Sequence, residues 1–247
     1  MKLRTIQANA IKSIFEVLKD IINDVNVYFK EDGISILALD TARVALVHMH
    51  LSAENFEEYD CPEPIIAGMN MANTYKLLKS VTNNDTLEMN IRGAEVIEMI
   101  IRNQVKKSSS TFTLKLLEIN EDILELPELD TDILTTLPSV DFQRICRDMG
   151  NLSNEIDICR EGDQLILSCQ GDFANQSTSF ECPEVWDTKM GNTFSLKYIN
   201  LFTKATGMCS SVQIMQHAEE EAMPIVFKYS IANLGEMRFY LAPKVKE

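Results

Sequence analysis

One unit is written twice along this chain, and that repetition limits what the chain can fold into more than any other feature. In the first half Ile11, Ile14, Phe15 and Leu18 recur at the i, i+3, i+4, i+7 spacing of a half-buried helix, over 9–22. Two alternating apolar runs follow, Val25–Phe29 and Ile34–Leu39, separated by Glu31-Asp32-Gly33, and an Asp-Gly pair between such runs predicts a hairpin. In the second half Phe142, Ile145, Cys146 and Met149 make the helix face over 140–150. Ile156–Cys159, Glu161-Gly162-Asp163 and Leu165–Ser168 predict the matching hairpin, and Lys19-Asp20 corresponds to Arg147-Asp148. Each half then has a later helix. One spans 70–81, with Tyr75, Leu77, Leu78 and Val81 apolar; the other spans 195–206, with Tyr198, Ile199, Leu201, Phe202 and Ala205 apolar. Strands at Thr86–Ile91 and Ser211–Met215 come next.

A repeat this long is not the roughly 20–50-residue period of a solenoid. It predicts an α+β chain of two similar domains, 1–115 and 132–247, each mostly strand with two helices. The intervening segment 116–131 is acidic and apolar by turns and contains neither Gly nor Ser, so it is not a floppy linker. Its leucines predict that it lies against a domain surface.

Apolar residues make up 45% of the 247, enough for a sizeable core, and no run approaches the roughly 18 uninterrupted apolar residues of a membrane helix. Met1-Lys2-Leu3-Arg4 runs into a polar segment without the apolar region of a signal peptide, so a soluble intracellular protein is expected. None of the six cysteines (Cys61, Cys146, Cys159, Cys169, Cys182, Cys209) is paired at C-x-x-C spacing, which predicts free thiols in a reducing compartment.

The net charge of −14 argues against a nucleic-acid partner until its distribution is examined. The four helix spans hold eight basic residues: Lys12, Lys19, Lys76, Lys79, Arg144, Arg147, Lys197 and Lys204. Against these stand four acids, Glu16, Asp20, Asp141 and Asp148, so the spans carry +4 and the rest of the chain −18. The basic residues also fall away from the apolar stripes. A basic surface on an acidic body attracts phosphates without reading sequence. No interleaved aromatic platform indicates single-strand stacking.

No phosphate-binding Gly-rich loop, G-x-S-x-G or H-E-x-x-H is present. His48 and His50 share one strand face, but no third ligand is evident near them. Asp130-Thr131-Asp132 reads as a solvated acidic turn, and His217 has no nucleophile to serve. A catalytic constellation, cofactor site or metal site is therefore not expected.

Val17–Asn23, Phe142–Asp148, Phe202–Thr206 and Tyr240–Lys244 together carry a resemblance to the eukaryotic-type DNA sliding clamps, the proliferating cell nuclear antigen family. The matching stretches lie in both halves in the right order. The resemblance implies a DNA-clamp fold: antiparallel sheets outside, two helices per domain inside, and three subunits closing a pseudo-sixfold ring around double-stranded DNA. It assigns the eight basic helix residues to the DNA-facing lumen. It assigns Leu39, Val44, Leu46, Leu124, Leu126, Pro224, Tyr240, Ala242 and Pro243 to a pocket under the interdomain connector. That pocket would receive a short motif borne by DNA polymerase, flap endonuclease, ligase and clamp-loader proteins. Edge strands near Lys106–Thr113 and Ala174–Glu181 would pair between subunits and so close otherwise hazardous edges. Nuclear residence, or a viral replication site, is implied in the same way.

Ser13 stands where many relatives have a second Lys, which predicts one weaker contact. Arg160 stands in the second hairpin where relatives often have a modifiable Lys, so that regulation is not assumed. The acidic loop His217–Ala222 reads as a solvated turn. Two other readings stay open: a clamp-like factor working as a monomer or in a heterotrimer, and an enzyme whose site motif reading does not detect.

Overall fold

Each half of the chain opens with a strand that feeds an amphipathic helix. The computed structural model describes residues 1–93, 95–120, 124, 126, 133–217 and 223–244. They form two units: Met1–Thr41 with Val47–Leu126 and Ser230–Met237, and Ala42–Leu46 with Pro127–Tyr229 and Arg238–Glu247. The acidic loop 218–222 and most of 121–132, including Asp130-Thr131-Asp132, lie outside the described residues.

The first unit runs β1 (Lys2–Thr5), α1 (Ala8–Leu18), β2 (Asp24–Lys30), β3 (Gly33–Leu39), β4 (Ala45–Ser52), β5 (Glu58–Asp60), β6 (Ile65–Asn70), α2 (Met71–Leu78), β7 (Asp85–Ile91), β8 (Val96–Asn103) and β9 (Ser108–Lys115). Its strands lie in the orders β5-β1-β7-β8-β9 and β4-β3-β2-β6. The second runs β10 (Ile133–Pro138), α3 (Ser139–Gly150), β11 (Glu155–Gln170), β12 (Asn175–Ser195), α4 (Leu196–Phe202), a 3-10 turn (Thr203–Gly207), β13 (Ser211–Gln216), β14 (Ile225–Ile231) and β15 (Gly235–Leu241). Its orders are β10-β13-β14-β15 and β11-β12. The division between the units passes within β4, β14 and β15. The predicted order of helix, hairpin, helix and strand is present in both halves, except at the second hairpin, and the strand before each first helix (β1, β10) is an element that the sequence reading does not include.

In the first unit Ile11, Ile14, Phe15 and Leu18 of α1 are buried among the inward residues of the sheets, with Val27, Phe29, Ile36, Met89 and Ile97. In the second, Phe142, Ile145, Cys146 and Met149 of α3 are buried as the spacing predicts. The ring of Phe142 lies 5.6 Å from Phe227, and Phe202 stacks on Phe239 at 4.6 Å.

The first hairpin turns on Glu31-Asp32, with Lys30 facing Gly33. Gly33 has φ +143, and a Cβ there would lie 2.0 Å from the Leu51 carbonyl oxygen, so only glycine fits. The second hairpin is not where the sequence puts it. β11 continues through Glu161-Gly162-Asp163 and stays paired with β12, with register shifts on both sides of Gly162. Gly162 takes a left-handed φ of +59 as part of a bulge. The chain reverses later, where the Gly171 amide donates to the Ala174 carbonyl at 3.0 Å. Glu-Gly-Asp serves a bulge as readily as a turn, because both need a residue at positive φ. Arg160, which the sequence places in that hairpin, is therefore within a long strand. It is 1% exposed and donates from Nη2 to the Glu184 carbonyl oxygen at 2.5 Å.

Helix ends also move. α1 stops at Leu18, and the chain passes through tighter turns to Ile22, with Ile21 N–H bonded to Leu18 O at 2.9 Å. Asn70 caps α2, its side-chain oxygen accepting the Asn73 amide at 2.9 Å. Met71, Thr74 and Leu78 are the buried face of α2, while Tyr75 and Leu77, read from sequence as part of its apolar side, are half-exposed.

After α2 the chain is held by Asp85, which is almost fully enclosed. Its carboxylate accepts the Thr82 amide at 2.7 Å, the Thr82 hydroxyl at 3.0 Å and the Asn103 side-chain amide. Burial pushes its pKa up, but these hydrogen bonds together outweigh burial and hold the carboxyl below its ordinary value. A depressed folded-state pKa stabilises above the unfolded value and loses that stabilisation as pH falls through the folded one. Asp85→Asn is expected to cost about 1 kcal/mol at pH 7. The difference from the parent should shrink as pH drops below about 4. Urea unfolding at both pH values measures it.

Candidate nucleic-acid interface

Because the apolar stripes are buried, the opposite helix faces are presented outward. In the first unit Lys76 and Lys79 are exposed, and Lys12 and Lys19 are half-exposed. Lys12 Nζ donates to the Val81 carbonyl at 2.9 Å and so ties α1 to the turn after α2. Lys19 follows the last residue of α1; its ammonium contacts both Asp20 carboxylate oxygens, at 2.9 and 3.0 Å, and lies 5.2 Å from the centre of the Tyr75 ring. The Tyr75 hydroxyl donates to Glu16 Oε1 at 2.9 Å. Lys76 Nζ donates to Asn73 Oδ1 at 3.2 Å. Ser13 turns its hydroxyl back to the Asn9 carbonyl at 3.0 Å and adds no charge to this face.

In the second unit Arg144, Arg147, Lys197 and Lys204 are all exposed. Arg144 pairs with Asp141 at 3.3 Å and Arg147 with Asp148 at 4.0 Å, side chains half-exposed or more. Lys197 Nζ is 6.0 Å from the Tyr198 ring, and Lys204 stands on the 3-10 turn after α4. Gln143 Nε2 donates to the Thr203 carbonyl at 2.8 Å, and Asn200 Nδ2 to the Cys146 carbonyl at 3.3 Å, joining α3 to α4.

Three of the four acids of these helix spans accept a hydrogen bond from a neighbouring side chain, Glu16 from Tyr75, Asp20 from Lys19 and Asp141 from Arg144, while Asp148 lies 4.0 Å from Arg147. Exposed pairs of this kind contribute only about 0–1 kcal/mol each and are screened by salt. Their main effect is to fix where the carboxylates point. The sequence reading missed Tyr75 and Tyr198 here, because an aromatic in an apolar stripe reads as core.

The nine residues assigned by resemblance to a partner pocket are divided between the units. Leu39, Leu124 and Leu126 belong to the first; Val44, Leu46, Pro224, Tyr240, Ala242 and Pro243 belong to the second. Alternation along β3 buries Ile34, Ile36 and Ala38 and leaves Leu37 and Leu39 half-exposed on the other face. Val44, Leu46, Leu124, Pro224 and Pro243 are also half-exposed, Leu126 and Ala242 are exposed, and Tyr240 is buried. Within the second unit the Ala242 amide donates to the Val44 carbonyl at 3.1 Å, and the Lys244 amide to Thr193 O at 2.8 Å, which fixes the tail beyond β15.

Residues 1–124 match the proliferating cell nuclear antigen N-terminal domain, and residues 125–244 match its C-terminal domain. The chain belongs to the proliferating cell nuclear antigen family of sliding clamps. It is 37% identical over 255 aligned residues to a probable DNA polymerase sliding clamp of Paramecium bursaria Chlorella virus 1, covering 98% of this chain and 95% of that one. It is 33% identical over 257 aligned residues to the proliferating cell nuclear antigen of Chaetomium thermophilum, covering 99% and 98%. Membership makes this chain a sliding clamp, of the class of DNA polymerase processivity factors, and its two units of antiparallel sheet with two helices each fit that fold.

Two strands of this clamp-family chain carry the edges that the resemblance singles out. β9 is the last strand of its sheet, pairs with β8 and is largely exposed from Ser108 to Thr111. Asn175–Glu181 of β12 pairs with Gln164–Gln170 of β11 in a two-stranded sheet. All six cysteines are free thiols. Among the described residues no group of three or more His, Cys, Asp or Glu side chains could hold a metal ion, and no helix is long and apolar enough to cross a membrane.

The contacts separate a basic residue that holds the fold from one that does not. Lys12→Met is expected to cost about 1 kcal/mol through loss of the bond to Val81. Lys79→Met should stay within about 0.5 kcal/mol of the parent. Equilibrium urea unfolding of the two variants compares them directly.

Proposed function

We propose that three copies of this chain close a ring around duplex DNA and tether a DNA polymerase to it. The observation that carries the reading is the charge split. Eight basic residues lie on helix faces turned away from the buried stripes, on a chain that is otherwise strongly acidic. In a ring with the helices inside, phosphates meet Lys12, Lys19, Lys76, Lys79, Arg144, Arg147, Lys197 and Lys204. The acidic exterior then repels DNA that approaches from outside. A ring holds DNA by topology, so no contact has to be tight and no sequence has to be read. Nothing in this role calls for catalysis.

Ring closure is assigned to β9 pairing with the Asn175–Glu181 part of β12 in a neighbouring copy, which would cover two exposed edges at once. We take 1–115 and 132–247 as the two clamp domains and 116–131 as the connector. Under it, Leu39, Val44, Leu46, Leu124, Leu126, Pro224, Tyr240, Ala242 and Pro243 would form the apolar receptor for polymerase, flap endonuclease, ligase and clamp-loader segments. The exposure of Leu39, Val44, Leu46 and Leu126 supports that assignment, because core residues at those positions would be buried. The site of action is the nucleus or a viral replication compartment, in keeping with the sources of the two relatives.

The subunit mass of 28.0 kDa puts the homotrimer at about 84 kDa, which light scattering coupled to size exclusion measures. A persistent 28.0 kDa species at micromolar concentration would instead select the monomeric or heterotrimeric reading. Lys79→Glu combined with Lys204→Glu is expected to leave the trimer intact. It should cut polymerase run length most at low salt, where the phosphate attraction is least screened, and the difference from the parent should narrow as the screening length falls to about 8 Å. Primer extension on a singly primed circle, with salt varied, reads the loss. Unchanged run length at every salt concentration would remove these residues from the DNA-facing set.

A further inference from the structure

The chain Glu16–Tyr75–Lys19–Asp20 crosses from α1 to α2 on the face assigned to DNA, and each link has a defined geometry. Tyr75 comes from α2; Glu16 lies on α1, and Lys19 and Asp20 follow its end. The tyrosine hydroxyl is 2.9 Å from Glu16 Oε1, the Lys19 ammonium is 5.2 Å from the ring centre, and the same ammonium is 2.9 Å from Asp20 Oδ1. Glu16 is the acid that needs holding. It is exposed, and it lies four residues after Lys12 and three before Lys19, both of which are neighbours on a helix surface. A carboxylate free to move there would capture one of the two ammonium groups or face the incoming phosphates.

We propose that Tyr75 is a positioning residue for DNA association: its hydroxyl fixes the Glu16 carboxylate between α1 and α2, so that this anion does not swing out to meet the phosphate backbone. The inference rests on the reading that these helix faces meet DNA. A phenolic O–H to a carboxylate is a charge-assisted bond, and at 2.9 Å in an exposed position it sets where the carboxylate points and adds little to stability. An ammonium over an aromatic face is attracted by the ring quadrupole while staying charged. Tyr75 thus restrains the Glu16 carboxylate without neutralising it, while the Lys19 ammonium that faces its ring is paired with Asp20. Its burial is incomplete, and Met71, Thr74 and Leu78 already supply the buried face of α2, so packing does not account for a tyrosine at this position.

Tyr75→Phe removes the hydroxyl and keeps the ring. In a titration of a fluorescent duplex followed by anisotropy at low ionic strength, it is expected to raise the dissociation constant about threefold, equivalent to roughly 0.6 kcal/mol. Glu16→Gln removes an anion and raises affinity by itself, so the pair is read as a cycle: Tyr75→Phe should cost about threefold in the parent and nothing in a Glu16→Gln background. A purely structural role for the hydroxyl would cost the same in both backgrounds, and the unfolding midpoint should stay unchanged in both variants. Parental affinity in Tyr75→Phe, or an equal loss from Tyr75→Phe with and without Glu16→Gln, would overturn the proposal. Lys76→Gln with Lys79→Gln is the companion measurement. Weaker binding there with no effect of Tyr75→Phe rejects Tyr75 alone, whereas no effect of either rejects the DNA-facing reading and this proposal together.

Discussion

Burial of one face of the first helix in each unit sets the direction of everything else. Ile11, Ile14, Phe15 and Leu18 in α1, and Phe142, Ile145, Cys146 and Met149 in α3, leave water together. Each large side chain contributes roughly 1.5–3 kcal/mol when fully buried. A helix cannot rotate about its axis without giving up several of these at once. Lys12, Arg144 and Arg147 therefore have no choice of side, and Lys19 follows because it directly succeeds α1. The second helices are held to the first by side-chain bonds to backbone carbonyls: Lys12 to Val81 in one unit, Gln143 to Thr203 in the other. Those bonds extend the basic surface over two helices per unit.

Electrostatics then works on a surface that packing has already oriented. The spans are net positive by only four charges, so the placing of their four acids matters as much as the number of their bases. Glu16, Asp20 and Asp141 each accept a hydrogen bond from a neighbouring side chain, and Asp148 lies 4.0 Å from Arg147. Exposed contacts of this type add little to folding stability. Their value lies in orientation: a carboxylate held along the surface disturbs an approaching phosphate less than one that is free to swing outward. A clamp that must slide gains from weak, distributed attraction of this kind, because tight individual contacts would arrest it.

Much of the fold could be read from the residues, and the exceptions share a cause. The helix faces of α1 and α3 and the β2–β3 hairpin were legible because each depends on local spacing and one turn signal. The Glu161–Asp163 turn was misread because its composition serves a bulge equally well, and only the long pairing of β11 with β12 decides between them. Tyr75 was counted as core because the start of α2 at Met71, which sets the buried face, depends on the Asn70 cap. The basic helix faces emerged from charge counting alone. The partner-pocket residues did not: their assignment came from the family resemblance and from no spacing or composition. At the start of the connector the Leu117 amide donates to the Gly68 carbonyl at 2.8 Å, within the first unit, whereas Leu129 lies outside the described residues.

The central claim is topological: DNA passes through a closed ring. The clamp is loaded by a clamp loader onto a nicked plasmid, and its co-elution with DNA by gel filtration is followed before and after a single restriction cut. The account predicts clamp retained on the circle at moderate salt and lost within minutes once the circle is linear, because the ring slides off the ends. Equal retention on circular and linear DNA would contradict it, since the protein would then be held by its basic face and not by encirclement.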